Sequence, residues 1–260
     1  MRIYLLICIS FFSLSCSTNR SIGNEITVLE LTSRVEAYSL DKQAIYNIGN
    51  SFKIIYNDDC MLYMIPIFKQ DRVPILDNIG KKTELKVVGV DTSYTAYVIK
   101  IGGLEGFKYT VEKLNEEQGT VFRLDSLLED LLISSNNLIH FSHELGTPSE
   151  EFKTRKLLVE KYAIKKTASS DPDSVYRYYD SKLKNIKFTF SEGLDARRNR
   201  KLYKTSFIHN AVPNVKLTSE QRIPRRELFY QILRVEEKNT RLFEEIFSKF
   251  KKDAKTLKLR

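Results

Sequence analysis

Segments rich in β-branched and aromatic residues recur from Glu25 to about Phe122, and they constrain the fold more than any other feature of the sequence. The first segment covers residues 26–31. The next two cover residues 52–56 and 61–65, and the polar run Asn-Asp-Asp-Cys between them predicts a tight turn. This part of the chain is therefore expected to consist of antiparallel strands joined as hairpins.

Two further segments, residues 84–90 and 94–101, alternate partly between apolar and polar positions. We expect them to pair as a hairpin with its turn at residues 91–93, because such alternation is typical of antiparallel strands with one solvated face. The glycines within 102–106 predict another hairpin turn, since they lack the spacing and the Lys-Ser/Thr pair of a phosphate-binding loop. Pro66 cannot donate to a ladder, so it should end its strand or mark an edge.

The second half of the chain predicts further strands and two helices. Asp125 is expected to cap a short helix whose leucines recur at helical spacing. Strands are expected at residues 186–190, 201–210 and 226–235. The apolar residues of 242–257 recur every three or four positions, which indicates a helix with one apolar face. The predicted fold is α+β, predominantly antiparallel β-sheet, with a short middle helix and a C-terminal amphipathic helix.

The N-terminus has the form of a bacterial export signal that ends in a cysteine. Met1-Arg2 precedes an apolar run over residues 3–12, and small residues then lead to Cys16. As a helix this apolar run would be about 15 Å long, which is too short to cross a bilayer of roughly 30 Å. The residues before Cys16 resemble a lipobox, the signal at which a cysteine is diacylated, although Ser13 occupies the place where leucine is usual.

We therefore expect lipidation of Cys16, with an ordinary cleaved signal peptide and an uncleaved anchor as the alternatives. Each buried methylene of an acyl chain contributes about 0.8 kcal/mol, so two or three chains would hold the protein firmly on a membrane. The predicted organisation is a lipoprotein signal peptide over 1–15, a flexible tether over 16–24 and a single β-rich domain over 25–260. A subdivision of this domain near residues 136–150 is the alternative.

Cysteine use fits export. Cys8 would leave with the signal peptide and Cys16 would be acylated, so Cys60 has no partner for an intramolecular disulfide. We predict that Cys60 is a buried small hydrophobe, and a free reactive thiol is the alternative.

The net charge of +9 would ordinarily suggest a nucleic-acid partner, but export argues against one. The remaining anionic partners are phospholipid headgroups, lipopolysaccharide or another anionic glycolipid, and cell-wall polymers. Solubility alone also explains a mild positive excess, and we favour that explanation.

Two of the three histidines, His140 and His143, lie three residues apart with Glu144 adjacent. On a helix this spacing would present both rings on one side, as a metal site needs. The order is not His-Glu-x-x-His, however, and Gly146 and Pro148 follow at once. The sequence therefore favours solvated or capping histidines, and we expect no metal and no cofactor.

Motifs for hydrolytic chemistry are weak. There is no Gly-x-Ser-x-Gly nucleophile elbow, and the environment of Cys60 matches no catalytic motif. Paired acids such as Asp58-Asp59 could supply glycosidase carboxylates, but the chain has no tryptophan to form a sugar platform. The sequence thus argues against an enzyme, and a hydrolase with a cryptic site remains an alternative.

The C-terminal end is basic and could lie on an anionic membrane surface near the lipid anchor. A packed helix whose solvated face happens to be basic is the simpler explanation. The candidate membrane contacts are Lys249, Lys251, Lys252, Lys255 and Lys258.

Several stretches resemble an uncharacterised group of β-rich lipoproteins of Bacteroidota, loosely similar to the GLPGLI-type proteins, although the GLPGLI hexapeptide itself is absent. They are the glycine turn before residues 107–109 and the stretches at 124–128, 173–179, 188–191 and 224–229. The resemblance implies an envelope lipoprotein and transfers no catalytic residue.

The expected function is that of a lipid-anchored envelope protein, a non-enzymatic binding or scaffolding module. Residues 17–24 contain Arg20 and no acid, which favours an outer-membrane anchor facing the periplasm. A periplasmic carrier or sensor with an apolar cavity inside a curved sheet is the second hypothesis, and it would show a pocket lined by Phe and Tyr.

Overall fold

The computed structural model describes residues 25–38, 44–76, 82–131, 145–167, 171–211 and 224–257. The strands are β1 (Thr27–Tyr38), β2 (Ala44–Tyr56), β3 (Cys60–Leu76), β4 (Lys82–Lys100), β5 (Glu105–Thr110), β6 (Thr120–Arg123), β7 (Glu150–Lys153), β8 (Leu157–Ala163), β9 (Ser174–Asp180), β10 (Lys201–His209) and β11 (Arg225–Val235). The helices are α1 (Leu124–Asp130), α2 (Glu192–Arg198) and α3 (Arg241–Leu257), with 3₁₀ turns at Val111–Lys113 and Ser181–Leu183.

All of these strands belong to one open sheet, in the order β6-β5-β4-β3-β2-β1-β11-β10-β9-β8-β7. Each ladder that the structure describes is antiparallel. The N-terminal strands form one half and the C-terminal strands the other, and they join where β1 pairs with β11 from Val28↔Val235 to Tyr38↔Arg225. The expected antiparallel sheet and C-terminal helix are thus confirmed, while α2 was not expected.

Two of the expected hairpin turns are present. Asn57 Oδ1 accepts hydrogen bonds from the backbone N–H groups of Asp59 (2.9 Å) and Cys60 (2.8 Å), which closes the turn between β2 and β3. Between β4 and β5, Gly102 has a φ of +80°, a conformation that residues with a Cβ rarely adopt. Both turns therefore depend on residues that were recognisable in the sequence.

The hairpin expected between residues 84–90 and 94–101 is wrong. Both segments belong to the single strand β4, and Asp91, Thr92 and Ser93 lie opposite Lys69, Phe68 and Ile67 of β3. These three residues include no glycine or proline that would break the strand, and β3 offers a continuous partner. The two strands pair along their described length, from Cys60↔Lys100 to Leu76↔Lys82.

Two smaller expectations also need correction. Asp125 lies in the first turn of α1 and does not cap it, because the helix begins at Leu124 and the Asp125 carboxylate binds the Arg123 guanidinium at 2.7 and 3.1 Å. Residues 186–190 are not a strand. Since β8 and β10 already occupy both edges of β9, this segment crosses the sheet face and buries Ile186 and Phe188 there.

The sheet has an apolar core on each face. On the first face, buried side chains of central strands pack with Leu127 of α1, Leu194 of α2 and the segment around Phe188. The central members of this first core are Leu29, Leu31, Phe52, Ile54, Tyr56, Met61, Tyr63 and Ile99. Burial on both faces requires alternation within each strand, and residues 54 and 55 of β2 accordingly point to opposite cores.

Helix α3 covers the second face. Its buried residues Phe243, Ile246, Phe247 and Phe250 pack on the even-numbered side chains of β3 and β4 and on Phe107 of β5. Phe107 and Phe250 meet edge to face with ring centroids 6.0 Å apart. A polar contact fixes the end of the helix, because Tyr109 donates its hydroxyl hydrogen to Asp253 Oδ2 at 3.1 Å in a buried position.

Candidate functional site

The structure leaves several of the expected site residues untested. Cys16, His140, His143 and Lys258 all lie outside the described residues. Among the residues that are described, no group of three or more His, Cys, Asp and Glu side chains could hold a metal ion. In the same ranges, no helix combines the length and apolar character needed to cross a membrane.

Cys60 is buried in the core on the second face, as expected, and forms no disulfide. Burial raises the pKa of its thiol, which opposes formation of the reactive thiolate. Its position supports the interpretation of Cys60 as a small core hydrophobe.

The basic residues of α3 are only partly available to a membrane surface. Lys249 Nζ lies 3.5 Å from Asp253 Oδ2 and 5.7 Å from the centroid of the Tyr109 ring, and Lys251 Nζ lies 3.1 Å from Asp59 Oδ2. Lys252 and Lys255 are exposed. The first two lysines therefore fix α3 to the sheet, which leaves the second two as the described candidates for contact with lipid.

The most distinctive feature of the sheet is an arm formed by residues 66–76 of β3 and 82–94 of β4. The ladder between β2 and β3 ends at Lys53↔Met64, and the ladder between β4 and β5 ends at Thr95↔Thr110. The ladder between β3 and β4 continues to Leu76↔Lys82. At about 3.3 Å per residue, the arm runs roughly 35 Å past the last residues that pair with β2 and β5, and within the described chain no third strand pairs with it.

Pro66 explains where the β2–β3 ladder stops. Tyr94, its partner across the arm, donates its backbone N–H to Glu112 Oε1 at 3.0 Å, so this N–H points away from β3. In an antiparallel pair both residues then point their amide groups outward. The backbone nitrogen of Pro66 therefore points toward β2, and because proline has no N–H it cannot continue the β2–β3 ladder.

The arm carries exposed apolar side chains at Ile67, Phe68, Val88 and Val90, and the fraction of Phe68 that is exposed is 61%. Phe68 and Val90 share the face on which α3 packs further along the sheet, because even-numbered residues of β3 and β4 point there up to the register shift at Asp71/Arg72. Nothing described in the chain covers these side chains, so the arm offers both strand edges and an apolar surface.

A second polar feature, a buried charge cluster, lies on β8 and β9. Glu160 and Arg177 are directly opposite each other in the ladder, and both are almost completely buried. Arg198 of α2 places Nη2 2.6 Å from Glu160 Oε1, and Tyr162 donates its hydroxyl hydrogen to Glu160 Oε2 at 2.7 Å. Burial and the bond to Glu160 raise the pKa of Tyr162.

This charge cluster holds elements together and offers no opening for a substrate. Glu160 accepts contacts from its own strand and from α2, and the Arg177 guanidinium lies 5.3 Å from the centroid of the Tyr162 ring. The cluster thus connects α2 with β8 and β9, which is a structural role.

Surface grooves in the described chain are polar. One groove, of about 310 Å³, lies beside α2 and includes Lys184, Glu192 and Arg200 in its lining. Two others, of about 290 and 240 Å³, are also lined mainly by polar and charged residues. Tyr56 and Tyr109 are the aromatic residues in the lining of these three grooves, and polar and charged side chains make up most of the rest.

The sequence does not predict the arm, because the expected turn at residues 91–93 divides β4 into two shorter strands. A signal was present, since the stretch from residue 82 to 101 contains a single glycine and no proline, and a continuous strand of that length has few partners in a small sheet. Charge clusters such as Glu160 with Arg198 gave no comparable signal, because the two residues are far apart in the sequence.

Comparison with known proteins gives no family for this chain. No protein-family model matches it, and no curated protein matches it.

Proposed function

We propose that this protein is a lipid-anchored component of the bacterial cell envelope that serves as a non-enzymatic binding or scaffolding module. The observation that carries the proposal is the arm of β3 and β4, which has exposed apolar side chains beyond the last residues that pair with β2 and β5. The cysteine that ends the signal-like N-terminus, Cys16, supplies the anchor.

The arm supports a binding role on energetic grounds. An isolated two-stranded ribbon is marginally stable in water, and an unpaired edge with apolar side chains invites association. A partner that covers Phe68 and Val90 would remove apolar surface from water, at about 25 cal/mol per Å². The arm is therefore better suited to contact another molecule than to remain exposed.

The envelope location completes the proposal. A lipidated Cys16 and the flexible tether over 17–24 would present the sheet to the periplasm from the outer membrane. Helix α3 is amphipathic in this proposal, with Lys252 and Lys255 on the solvated side as secondary contacts for anionic headgroups. The resemblance to Bacteroidota lipoproteins agrees with this location.

The binding role is tested by photo-cross-linking in intact cells. A photoreactive phenylalanine analogue replaces Phe68 in one variant and Phe152 of β7 in the other, because both are strand phenylalanines with nearly equal exposure, 61% and 62%. We expect the analogue at position 68 to give an adduct with a different envelope protein and the analogue at 152 to give none. No adduct at position 68, or equal adducts at both positions, would refute the binding role.

The anchor is tested separately with Cys16→Ser in the full chain. We expect the substituted protein to keep its signal peptide. We also expect its distribution between the membrane and soluble fractions to differ from that of the natural protein. Unchanged processing and unchanged fractionation would refute the lipid anchor without bearing on the arm.

A further inference from the structure

Three segments that lie apart in the sequence are rich in basic residues and contain no acid. They are residues 154–156 (Thr-Arg-Lys), residues 181–187 (Ser-Lys-Leu-Lys-Asn-Ile-Lys) and residues 197–201 (Arg-Arg-Asn-Arg-Lys). The first joins β7 to β8, the second follows β9, and the third leads from α2 into β10. We call these three segments together the basic patch, and they belong neither to the arm nor to α3.

Hydrogen bonds bring the three segments of the basic patch together. Arg200 donates from Nη2 to the backbone oxygen of Thr154 at 3.0 Å, which links the third segment to the first. Lys184 donates from Nζ to Asn199 Oδ1 at 2.5 Å, which links the second segment to the third. The fold therefore gathers their basic side chains in one region of the surface.

Only part of the positive charge in the basic patch is balanced by acids. Lys201 pairs with Asp195 at 2.8 Å, Lys187 pairs with Asp58 at 3.2 Å, and Arg198 belongs to the buried charge cluster. Within the described chain, five further residues of the patch form no ion pair with a carboxylate, and they are Arg155, Lys156, Lys182, Lys184 and Arg200. This excess of positive charge is complementary to an anionic partner.

The basic patch lies beside the residue at which the described chain begins. Glu25 and Thr27 line the groove of about 290 Å³ together with Lys182 and Lys187. Cys16 and Glu25 are nine positions apart, so the chain between them spans at most about 32 Å. A lipid on Cys16 would therefore keep this end of the sheet close to the membrane surface.

An exposed apolar side chain lies at the same end of the sheet. Lys187 donates from Nζ to the backbone oxygen of Asn57 at 2.8 Å, and the backbone oxygen of Asp59 accepts the N–H of Ile101 at 2.8 Å. The turn between β4 and β5 thus lies next to the turn between β2 and β3, and its Leu104 is 70% exposed. Apolar side chains beside cations are typical of protein surfaces that bind the headgroup region of a membrane.

We propose that the basic patch binds the anionic phospholipid headgroups of the membrane to which Cys16 is anchored. Lys and Arg side chains are attracted to such a surface within about one Debye length, roughly 10 Å, so the patch binds when this end of the sheet faces the lipid. Lys184 and Arg200 line the groove beside α2, where a headgroup phosphate would find two cations. A headgroup is favoured over a soluble polyanion because the patch adjoins the start of the anchored chain.

This orientation directs the arm away from the membrane. β3 begins at Cys60, next to the turn that Lys187 contacts, and it runs to Leu76. At about 3.3 Å per residue, the arm starts roughly 20 Å along the strand. The inference rests on the lipid anchor of the proposed function, and it adds the orientation in which the arm would meet its partner.

Fluorescence quenching in the full-length lipoprotein tests the orientation. A bimane is attached through Asn185→Cys in the basic patch or, as the control, through Thr92→Cys on the arm, because both positions are exposed and Cys60 is buried. Each protein is reconstituted into phosphatidylcholine vesicles, with or without phosphatidylglycerol, that carry a nitroxide on lipid headgroups. We expect phosphatidylglycerol to increase quenching at position 185 severalfold, high salt to abolish the increase, and position 92 to be quenched weakly throughout.

Charge reversal separates the basic patch from the net charge of the protein. Lys156→Glu with Lys182→Glu should lower the phosphatidylglycerol-dependent quenching at position 185 by at least about fivefold, because each basic residue near the surface contributes to binding. The matched control is Lys69→Glu with Lys108→Glu, which removes the same positive charge at two exposed lysines outside the patch. This control should leave the quenching at position 185 unchanged.

The possible outcomes distinguish the anchor from the basic patch. If the natural protein does not float with phosphatidylcholine vesicles, the lipid anchor fails and this inference fails with it. If it floats, then equal quenching at positions 185 and 92, quenching that ignores salt or phosphatidylglycerol, or equal losses in the two charge variants would overturn the inference alone. Protection of the probe by a soluble anionic polysaccharide, without headgroup quenching, would assign the patch to a glycan and would also overturn the inference.

Discussion

Arg198 reaches from α2 to the buried carboxylate of Glu160 on β8, and its Nη2 atom lies 2.6 Å from Glu160 Oε1. Glu160 is the central acid of this cluster, since Arg177 lies opposite it in the neighbouring strand. The carboxylate is fully shielded from water, whereas the arginine side chain keeps about a third of its surface exposed. Glu160 therefore supplies the negative charge that balances the buried positive charge of the cluster, and its loss should be more costly than the loss of either arginine.

We predict that Glu160→Gln lowers the free energy of unfolding by about 3–5 kcal/mol, because it leaves buried guanidinium charge without its acid. The matched control is Glu150→Gln on β7, whose carboxylate forms an exposed pair with Lys161 at 2.6 Å. That change should cost less than about 1 kcal/mol. Urea denaturation of both variants measures the two changes in the free energy of unfolding. Equal changes would contradict a structural role for the cluster.

Stability should fall above the ordinary pKa of tyrosine, about 10. Burial raises the pKa of Tyr109, and the charge of Asp253 raises it further, so above pH 10 the unfolded chain releases a proton that the folded chain retains. Stability is therefore fully present below pH 10 and is lost as the pH rises beyond it.

Tyr109→Phe should make this alkaline loss less steep, by at most about 1.4 kcal/mol per pH unit. Urea midpoints measured at pH 8 and at about pH 11 give the comparison. Because other buried tyrosines such as Tyr63 also have raised pKa values, the loss should be reduced and not abolished. An unchanged slope would show that Tyr109 ionises as readily in the folded protein as in the unfolded chain.

Counting the reactive thiols tests two predictions together, that Cys16 carries lipid and that Cys60 is a free, buried thiol. We predict that the processed protein shows one reactive thiol per chain after unfolding in guanidinium, because Cys60 remains free and Cys16 carries lipid. In the folded protein Cys60 should react at least a hundredfold more slowly with a maleimide, since it is buried. Two thiols after unfolding would contradict lipidation.

The packing of α3 predicts a large difference between two of its residues. Ile246→Ala should lower the free energy of unfolding by about 2–5 kcal/mol, because the side chain is completely buried against the sheet. Leu242→Ala, at a position of the same helix that is exposed, should cost about 1 kcal/mol or less. Denaturant titrations of the two variants measure the difference, and similar losses would mean that α3 is not held by this face.

The elements predictable from the sequence were those fixed by neighbouring residues. The turn at Asn57, the glycine turn at Gly102 and the stripe of apolar residues in α3 each depend on a few positions close together in the chain. Strands β10 and β11 are predictable for the same reason, since aromatic and branched residues recur within each and Pro213 and Pro224 lie between them.

The remaining features depend on partners that are far apart in the sequence. Residues 91–93 become a strand because β3 lies opposite them, and residues 186–190 fail to become one because β9 has both edges filled. The buried position of Glu160 likewise requires α2 to supply Arg198. Local pattern does not identify these partners, although the uninterrupted stretch from residue 82 to 101 indicates a long strand.

The ladder between β1 and β11 joins the earliest described strand to the last one, and it has a consequence for folding during synthesis. Each half of the sheet can assemble from hairpins as the chain emerges, but their union must wait until the final strand has been delivered. A chain that ends before residue 225 would lack β11, so β1 and β10 would each have an unpaired edge. Unpaired strand edges promote aggregation. A molecule that lacks β11 would therefore expose the edges of β1 and β10 to any chaperone or protease that it meets.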